Sequence, residues 1–421
     1  MRLTRPTGRE PIDLHAVDLA DATLYSDGDP HAVWHVMREQ APVMWQSWRS
    51  SGFWSVTRHA DVAFVLREHA TFTSERGTLL HSLGEDDPAG GRQLSLIDPP
   101  WHAALRVPLQ QALGSRPVEQ YIPDIRFRVR ELIAPGIDGE PFDLAKATAE
   151  LPIAVFGTQM GLPKEDWPDL ARLARMAVAP DEDAYRLPQG ATATMNRAHR
   201  EIYAYFHDLT RTRRNSNGED LLSLLMAIET DGEPLDVPTV MANCYLLLIG
   251  ATVSLAHVPP AAVLELIRSD QYERWRTRPD LLDSGIEEAL RWATPASHVM
   301  RHATRDVDLG GALIRAGDPV VSWLGSANRD KEAFEQPYDF RIDRTPNRHL
   351  TFGSGPHFCV GFGVTRSTLR VVFEELFTHF ESFEAAGDPV HVRSNLVAGM
   401  TSAPVVGVRA RSARLEGDRV G

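Results

Sequence analysis

Apolar residues recur at helical spacing through most of this chain, whereas runs that alternate apolar and polar residues are short. The longest apolar helical run, residues 236–268, predicts a buried core helix. Pro259 and Pro260 lie within this run, and each lacks the N–H group that a helix needs for its hydrogen-bond ladder. We therefore predict a break or kink in the helix just past Leu255.

Shorter helices are predicted on both sides of this run. Asp29 is a good N-cap residue, and it predicts a helix over residues 29–39. Residues 52–57 alternate as in a strand, and further strand-like segments surround Val307 and Val320. Other helical patterns cover residues 59–69, 117–135, 145–161, 164–178 and 192–214.

Irregular segments separate some of these helices. Residues 73–92 are rich in Gly, Ser, Asp and charge, and they predict a mobile loop. Residues 179–190 break the helical periodicity and predict a flexible connection, and residues 215–218 predict a turn. The polar tail, residues 412–421, is expected to be frayed.

Composition narrows the class of protein. The chain has 421 residues, of which 43% are hydrophobic and 24% charged, which is ordinary for a soluble protein. Its formal net charge of −13 argues against nucleic acid as a partner, because no basic excess is present to neutralise phosphates. Two cysteines cannot form a disulfide framework, so we expect a reducing cytoplasm. Residues 1–21 hold no apolar run long enough for a signal peptide or an anchor, so we expect no membrane association.

The stretch with the clearest chemistry is His349-Leu-Thr-Phe-Gly-Ser-Gly-Pro-His-Phe-Cys-Val-Gly-Phe-Gly363. Glycines this close to Cys359 indicate a backbone pressed against a neighbouring group, since glycine has no Cβ. A helical pattern follows, and free N–H groups at a helix start favour a thiolate. A thiolate serves as a nucleophile or as a metal ligand, although an isolated free cysteine is most often a small buried hydrophobe.

Several motifs resemble those of cytochromes P450. Phe352-Gly-x-Gly-x-His-x-Cys-x-Gly361 resembles their haem-binding loop, in which the cysteine is the axial ligand of iron. Asp98-Pro-Pro-Trp-His-Ala-Ala-Leu-Arg106 resembles the element whose His and Arg hold the haem propionates. Glu288 and Arg291 match a family pair buried behind the loop and completed by an arginine, most closely Arg344 here, although such a spacing alone is more often a solvated ion pair.

The resemblance extends from about Asp29 to Val408 and implies a fold. We expect a mainly α protein with a small β-rich region, folded as one cytochrome P450 domain over residues 1–421, with residues 1–25 and 410–421 peripheral. It further implies one haem b between the central helix and the Cys359 loop. Cys359 would bind the metal. The remaining cofactor-binding residues would be His102, Arg106, Arg301, Phe352, Gly353, His357 and Gly361. The His and Arg side chains among them would neutralise the propionates, and Gly355 would also place the loop backbone near the porphyrin.

The central helix departs from the family pattern. Where the family has A-G-x-[Asp/Glu]-Thr, this chain has Gly250-Ala251 in reversed order, Val253 in place of the acid and Ser254 in place of the threonine. The resemblance makes Ala251, Val253 and Ser254 the candidate catalytic residues, but Val253 cannot carry a proton, and only the Ser254 hydroxyl can donate one. By analogy, Leu255, Val299 and residues 395–400 line the substrate site.

The expected activity is that of a monooxygenase of class EC 1.14, a soluble bacterial P450 that uses dioxygen and two electrons to oxidise a small-molecule natural-product intermediate. An external ferredoxin and its reductase would supply the electrons, because two cysteines cannot ligate a fused ferredoxin-type cluster beside the haem. Two alternatives stay open. One is oxidative coupling or cyclisation without oxygen insertion, and the other is a haem-thiolate sensor that does not turn over.

Overall fold

A computed structural model describes residues 12–48, 51–84, 87–213, 218–230, 232–269 and 271–409. The predicted tail at 412–421 lies outside the described residues, as do most of the predicted turn at 215–218 and the first eleven residues.

Helices make up most of the protein. They are α1 (Thr23–Ser26), α2 (Pro30–Gln40), α3 (His59–Arg67), α4 (Trp101–Ala112), α5 (Ser115–Val118), α6 (Ile122–Ile137), α7 (Leu144–Ala149), α8 (Leu151–Met160), α9 (Trp167–Val178), α10 (Ala191–Thr212), α11 (Leu221–Ala227), α12 (Val237–Thr252), α13 (Val258–Arg268), α14 (Tyr272–Thr277), α15 (Leu282–Ala293), α16 (Leu324–Ala327) and α17 (Phe362–His379). Short 3₁₀ turns join several of them, including Leu80–Ser82, Leu94–Leu96, Leu255–His257 and Gly355–His357.

Fourteen short strands in the described residues form the β-rich side: β1 (Val43–Trp48), β2 (Ser51–Val56), β3 (Phe72–Thr73), β4 (Phe142–Asp143), β5 (Glu229–Thr230), β6 (Glu233–Pro234), β7 (His298–Ala303), β8 (Val307–Leu309), β9 (Ala312–Ile314), β10 (Pro319–Trp323), β11 (Phe380–Ala385), β12 (Val390–His391), β13 (Met400–Ser402) and β14 (Pro404–Arg409). The largest sheet has the order β1-β2-β10-β7-β3, and a second has the order β11-β14-β4. In the first sheet β10 runs parallel to β2, whereas its other pairs are antiparallel. The mainly α class with a small β region is confirmed.

Capping side chains begin two of the predicted helices. The Asp29 carboxylate accepts from the backbone N–H of Ala32 at the start of α2. The Asp236 carboxylate likewise accepts from the N–H of Thr239 at the start of α12. Each satisfies a donor that has no partner inside its helix, which stabilises that end by roughly 1 kcal/mol. The helix after Pro99 and Pro100 begins only at Trp101, so the prolines precede it and do not form its first turn.

The predicted break in the central helix is confirmed, but it begins before Leu255. α12 ends at Thr252, and the 3₁₀ turn Leu255–His257 leads into α13. Pro259 and Pro260 lie in the first turn of α13, where an absent N–H costs nothing. The Ala256 carbonyl, which Pro260 cannot serve, accepts from the Thr148 hydroxyl at 2.8 Å. The break in the helix therefore has a backbone cause, and the Thr148 hydroxyl satisfies the carbonyl that the break leaves without its usual donor.

Residues 237–268 also pass a simple test for a membrane span by length and apolar composition. Of the most apolar window, however, 61% is buried inside the protein. Cys244, Leu248 and Val263 are each fully buried among other helices. Burial of this kind is typical of the core helix of a soluble protein.

The predicted pair of Glu288 and Arg291 is buried, and the predicted third member is Arg344. The Arg291 Nε and Nη2 atoms donate to the Glu288 carboxylate at 2.7 Å, and both side chains are 0% exposed. Arg344 Nε donates to the same carboxylate at 3.0 Å. Burial alone would raise the pKa of Glu288, but its hydrogen bond from Arg291 and the charges of both arginines hold that pKa below its ordinary value. The trio joins α15 to the segment before the Cys359 loop.

Candidate active site

One cavity of about 430 Å³ brings together the predicted catalytic residues and the predicted haem- and metal-binding side chains. The Cys359 loop lines it with Phe352, Gly353, Cys359 and Gly361. Gly250 and Ala251 at the end of α12, with Val253 and Ser254 just after that helix, line it as well. His102, Arg106, Arg301 and His357 line the same cavity. Residues that are distant in sequence thus face one cavity.

The backbone of the Cys359 loop is fixed by short hydrogen bonds. The Cys359 N–H donates to the Phe352 carbonyl at 2.8 Å, and the Gly353 N–H donates to the Leu350 carbonyl at 2.8 Å. Gly353 and Gly355 have φ angles of 73° and 74°, which favour glycine. These turns place the sulfur on the cavity wall, just ahead of α17.

The close approach at Gly355 is not to the cavity. A Cβ there would lie 2.8 Å from the Arg67 Cα and from the Leu66 carbonyl oxygen, both of them backbone atoms of α3. Gly355 is also absent from the cavity wall. The expectation that it lets the loop lie near a bound group is therefore corrected. Gly355 seats the loop against α3, whereas at Gly361 the nearest atom to an added Cβ is the Cys359 Sγ at 4.0 Å.

Two effects act on the pKa of Cys359 in opposite directions. Burial raises the pKa of the thiol, although the Gly361 N–H at the start of α17 and the charges of Arg106 and Arg366 act to lower it. The helix start therefore acts in the predicted direction, and the thiolate form of Cys359 stays a prediction. A cation bound at the sulfur is the partner that would favour the deprotonated form.

Three basic side chains face the cavity without an anionic partner there. The His102 Nε2 atom is buried and has no hydrogen-bond partner among the described residues. Arg301 is 4% exposed, donates from Nη1 to the Met300 carbonyl, and has its pKa lowered by burial to about 10. Burial likewise lowers the pKa of Arg106. No Asp or Glu lies among the described residues that line the cavity, so this edge suits a ligand with carboxylates.

His357 is different, because it already has an anionic partner. Its Nε2 lies 3.2 Å from an Asp98 carboxylate oxygen and 3.1 Å from the Ser74 hydroxyl. Burial alone would raise the pKa of Asp98, but hydrogen bonds from His357, Ser74 and Thr73 hold it well below its ordinary value. Sequence reasoning missed this role of Asp98, although the residue opens the recognised motif. Its contact ties the start of α4 to the Cys359 loop.

A further missed residue is Arg366 on α17. Its guanidinium lies 4.8 Å from the centre of the Phe352 ring and donates to the Glu287 carboxylate at 2.6 and 2.7 Å. Glu287 also lies 3.1 Å from His349 Nε2. These contacts hold the Phe352 ring in place, and no sequence motif predicted them.

Two hydroxyl groups at the end of α12 and just after it are hydrogen-bonded to the backbone of that helix. Ser254 Oγ donates to the Gly250 carbonyl at 3.1 Å, and Thr252 Oγ1 donates to the Leu248 carbonyl at 2.6 Å. Only Ser254 of these two lines the cavity. A Cβ added at Gly250 would meet no atom within 4 Å, so the wall is open at that point. Space for a small ligand therefore lies beside Ser254.

The predicted lining residues are found in part. Leu255 and Val299 line the cavity, whereas only Leu396 and Val397 do so from residues 395–400. Sequence reasoning did not name several others, chiefly from residues 78–95 and from α8: Thr78, Leu79, Gln93, Leu94, Ser95, Val155, Phe156, Gln159 and Tyr245. Residues 152, 155, 156 and 159 lie on one face of α8, but that helix is buried on nearly every side, so its pattern does not mark the face that lines the cavity.

These groups fit the haem that the motifs imply. The sulfur of Cys359 on the cavity wall can ligate its metal, and an unpartnered His102 Nε2 with Arg106 and Arg301 can receive its two carboxylates. Glycines and apolar side chains form much of the remaining lining. The fit rests on the sulfur and on these three basic groups without an anionic partner.

Known proteins resemble this chain over most of its length. A family model described as Cytochrome P450 matches residues 263–404. Cytochrome P450 NovI of Streptomyces niveus is 33% identical over 407 residues, which are 96% of this chain and 98% of that protein.

Solved structures agree in fold. Cytochrome P450 CYP268A2 of Mycobacterium marinum, in complex with pseudoionone, has a TM-score of 0.85 and 29% identity, covering 94% of this chain and 99% of its own. P450 OxyD, described as involved in the biosynthesis of vancomycin-type antibiotics, has a TM-score of 0.83 and 32% identity, covering 94% of this chain and 100% of its own.

Proposed function

Because this chain belongs to the cytochrome P450 family, whose members bind haem b and oxidise their substrates, we propose that it hydroxylates a natural-product intermediate at the Cys359 cavity. The observation that carries the proposal is the meeting of Cys359, three unmatched basic groups and the open wall at Gly250 in one cavity. When bound, the haem supplies the redox-active iron at which dioxygen is reduced.

The residues around the Cys359 loop would hold the cofactor. Cys359 would ligate the iron, and the Gly361 N–H, which hydrogen-bonds the sulfur, would moderate its donor strength. His102, Arg106 and Arg301 would bind the propionates. His357 acts beside them through Asp98, which keeps the imidazole in place. Phe352, braced by Arg366, shields the sulfur from water.

The residues at and just after the end of α12 would supply the proton that dioxygen reduction needs. Val253 has no acidic group, so the Ser254 hydroxyl is the donor that the broken helix presents to the cavity. Ser254 now donates to the Gly250 carbonyl, and it must rotate from that bond to pass a proton to water beside the open wall. Ala251 keeps this place narrow without filling it.

The lining defines the class of substrate. No carboxylate lines the cavity among the described residues, and the polar groups away from the basic edge are neutral, chiefly Gln93, Gln159 and Tyr245. Aliphatic and aromatic side chains form most of the rest. Such a lining favours a neutral and mainly apolar molecule that carries a few hydrogen-bonding groups. The antibiotic pathway named for OxyD supports a natural product.

The absent acid leaves a second reaction open. Oxidative coupling or cyclisation removes two hydrogens from the substrate, which leave with the reduced oxygen as water, so no oxygen is inserted. It takes up the same two electrons and two protons as hydroxylation, so the proton that Val253 cannot carry must come through Ser254, water or the substrate. Under either reaction, an external ferredoxin with its reductase delivers two electrons in the cytoplasm. The non-turnover sensor is the outcome in which no substrate stimulates electron uptake.

The test is a spectral titration against natural-product scaffolds, followed by turnover with ferredoxin, its reductase, NAD(P)H and ¹⁸O₂. We expect a bound scaffold to stimulate NAD(P)H consumption and to gain one ¹⁸O atom. A coupled or cyclised product without ¹⁸O favours the second reaction. If no scaffold that binds ever stimulates consumption, the proposed activity is wrong.

A further inference from the structure

A single buried histidine joins the two segments that cover the cavity. His298, the first residue of β7, is 1% exposed. Its Nε2 lies 3.2 Å from the backbone nitrogen of Leu80, in the loop between β3 and α4. Its Nδ1 lies 3.3 Å from the carbonyl oxygen of Asn395, in the loop before β13. The two loops therefore meet at opposite nitrogens of one ring.

The two contacts require one particular form of the ring. The Leu80 N–H can only donate, so Nε2 must accept, and the Asn395 carbonyl can only accept, so Nδ1 must carry the hydrogen. A neutral imidazole protonated on Nδ1 satisfies both. Burial lowers the pKa of His298 to about 4, although the Asn395 contact acts to raise it, so the ring is neutral at physiological pH.

The surroundings hold the ring in this position. Its centre lies 5.1 Å from the Trp323 ring at an angle of 60°, and Trp323 is fully buried on β10. On one side of His298 the Met300 N–H donates to the Thr78 carbonyl at 2.8 Å. On the other side the Ser297 N–H donates to the Leu396 carbonyl at 2.7 Å. Backbone bonds thus place each loop separately, and the imidazole forms a hydrogen bond with each of them.

The loops that His298 joins carry part of the cavity wall. Thr78 and Leu79 line the cavity immediately before Leu80, and Leu396 and Val397 line it immediately after Asn395. Val299, next to His298, also lines it. His298 itself does not face the cavity. A movement of its ring would therefore shift three lining segments without removing any contact to a ligand.

We propose that His298 is a positioning residue that fixes the loops at residues 78–83 and 395–398 relative to each other and so governs the passage and fit of large ligands. The inference rests on the proposed use of this cavity for haem and substrate. Small ligands, which need no movement of either loop, are unaffected by it.

Three variants separate the two contacts. His298→Phe keeps a flat ring and loses both hydrogen bonds, which leaves the Leu80 N–H and the Asn395 carbonyl buried without partners. In His298→Gln the amide oxygen stands where Nε2 accepts, so the Leu80 contact is retained. In His298→Asn the amide nitrogen stands where Nδ1 donates, so the Asn395 contact is retained. His302→Phe is the matched control, because His302 is 5% exposed on the same strand and its Nδ1 has no partner in the described part of the chain.

The haem-loaded proteins are compared by hydrogen–deuterium exchange and by stopped-flow dissociation of 4-phenylimidazole, with cyanide as the small ligand. In His298→Phe we expect faster exchange in both loops and about tenfold faster 4-phenylimidazole dissociation, with cyanide kinetics unchanged. His298→Gln should protect residues 78–83 only, His298→Asn residues 395–398 only, and His302→Phe should resemble the wild type.

The inference is overturned if His298→Phe leaves loop exchange and 4-phenylimidazole dissociation unchanged. It is equally overturned if exchange rises throughout the protein, or if His302→Phe has the same effect, because the role is then general packing. Failure of the proposed function would show itself separately, as a wild-type protein that takes up no haem or that no scaffold stimulates.

Discussion

Replacing Glu288 by glutamine tests the buried trio behind the Cys359 loop. The side chain keeps its shape but loses its charge, and two guanidinium groups are left without their anion. In the native protein Glu288 accepts from Arg291 at 2.7 Å and from Arg344 at 3.0 Å. Two further donors, the Asn347 amide and the Arg341 N–H, lie at 3.1 and 2.8 Å.

The magnitude follows from burial. Glu288 and Arg291 are 0% exposed and Arg344 is 5% exposed, so water cannot replace the lost charge. Removal of one partner from a buried ion pair costs about 3–5 kcal/mol. We expect Glu288→Gln to lose at least ~3 kcal/mol of the free energy of unfolding, or to accumulate unfolded. The loss reaches the site, because Arg291 Nη1 donates to the Asn328 carbonyl and the Asn328 amide holds Leu350 and Thr351.

The assay is urea unfolding followed by tryptophan fluorescence, with Glu273→Gln as the matched control. Glu273 also binds an arginine three residues along its helix, Arg276, through two oxygens, but its side chain is 61% exposed. Its replacement should cost no more than about 1 kcal/mol. Equal losses for the two variants, or a loss below ~1 kcal/mol for Glu288→Gln, would refute the argument that burial sets the cost.

Three further predictions concern the site and its supports. Val253→Glu should raise the amount of product formed per NAD(P)H in a simple hydroxylation, and Ser254→Ala should slow turnover by about 10²-fold. If neither variant changes product formation, the substrate supplies the proton path. Gly355→Ala should destabilise the protein by more than ~1 kcal/mol in urea unfolding, because its φ is 74° and α3 backbone lies 2.8 Å from the new Cβ, whereas Gly250→Ala should not, and equal effects would contradict this. Burial alone would raise the pKa of Glu287, but Arg366 and His349 lower it from 4.5 to about 2. The contribution of Glu287 to stability is therefore present above pH ~4.5 and is lost as the pH falls towards 2. The difference in unfolding free energy between wild type and Glu287→Gln should narrow over that window, and a constant difference would contradict the assignment.

Much of the fold followed from periodicity and end signals. Asp29 and Asp236 marked helix starts correctly because a capping carboxylate acts within three residues of its own position. The break near Leu255 was predictable because proline lacks a donor, but its start was not. The position of Val253 and Ser254 between two helices depends on the Thr148 contact from a remote helix, which no local pattern encodes.

Residues of the site were predictable where a motif fixes the residue types. Prediction failed where tertiary packing determines what a residue contacts. Cys359, His102 and Arg106 were found because ligation and charge pairing demand those side chains at those spacings. The role of Gly355 was misassigned, since sequence shows that a backbone comes close but not what it approaches. The burial that raises the pKa of Cys359 depends on tertiary packing, and no local pattern shows it. His298 acts through contacts 218 and 97 residues away and carried no local signal.

The central claim is that Cys359 ligates the iron, and the absorption spectrum of the reduced protein with carbon monoxide tests it most directly. The wild type should show the red-shifted band of a thiolate-ligated haem. Cys244→Ser is the control, because Cys244 is the other free cysteine, is fully buried and does not line the cavity. The account predicts that Cys359→Ser abolishes the band while Cys244→Ser retains it. A band that survives in Cys359→Ser would contradict it.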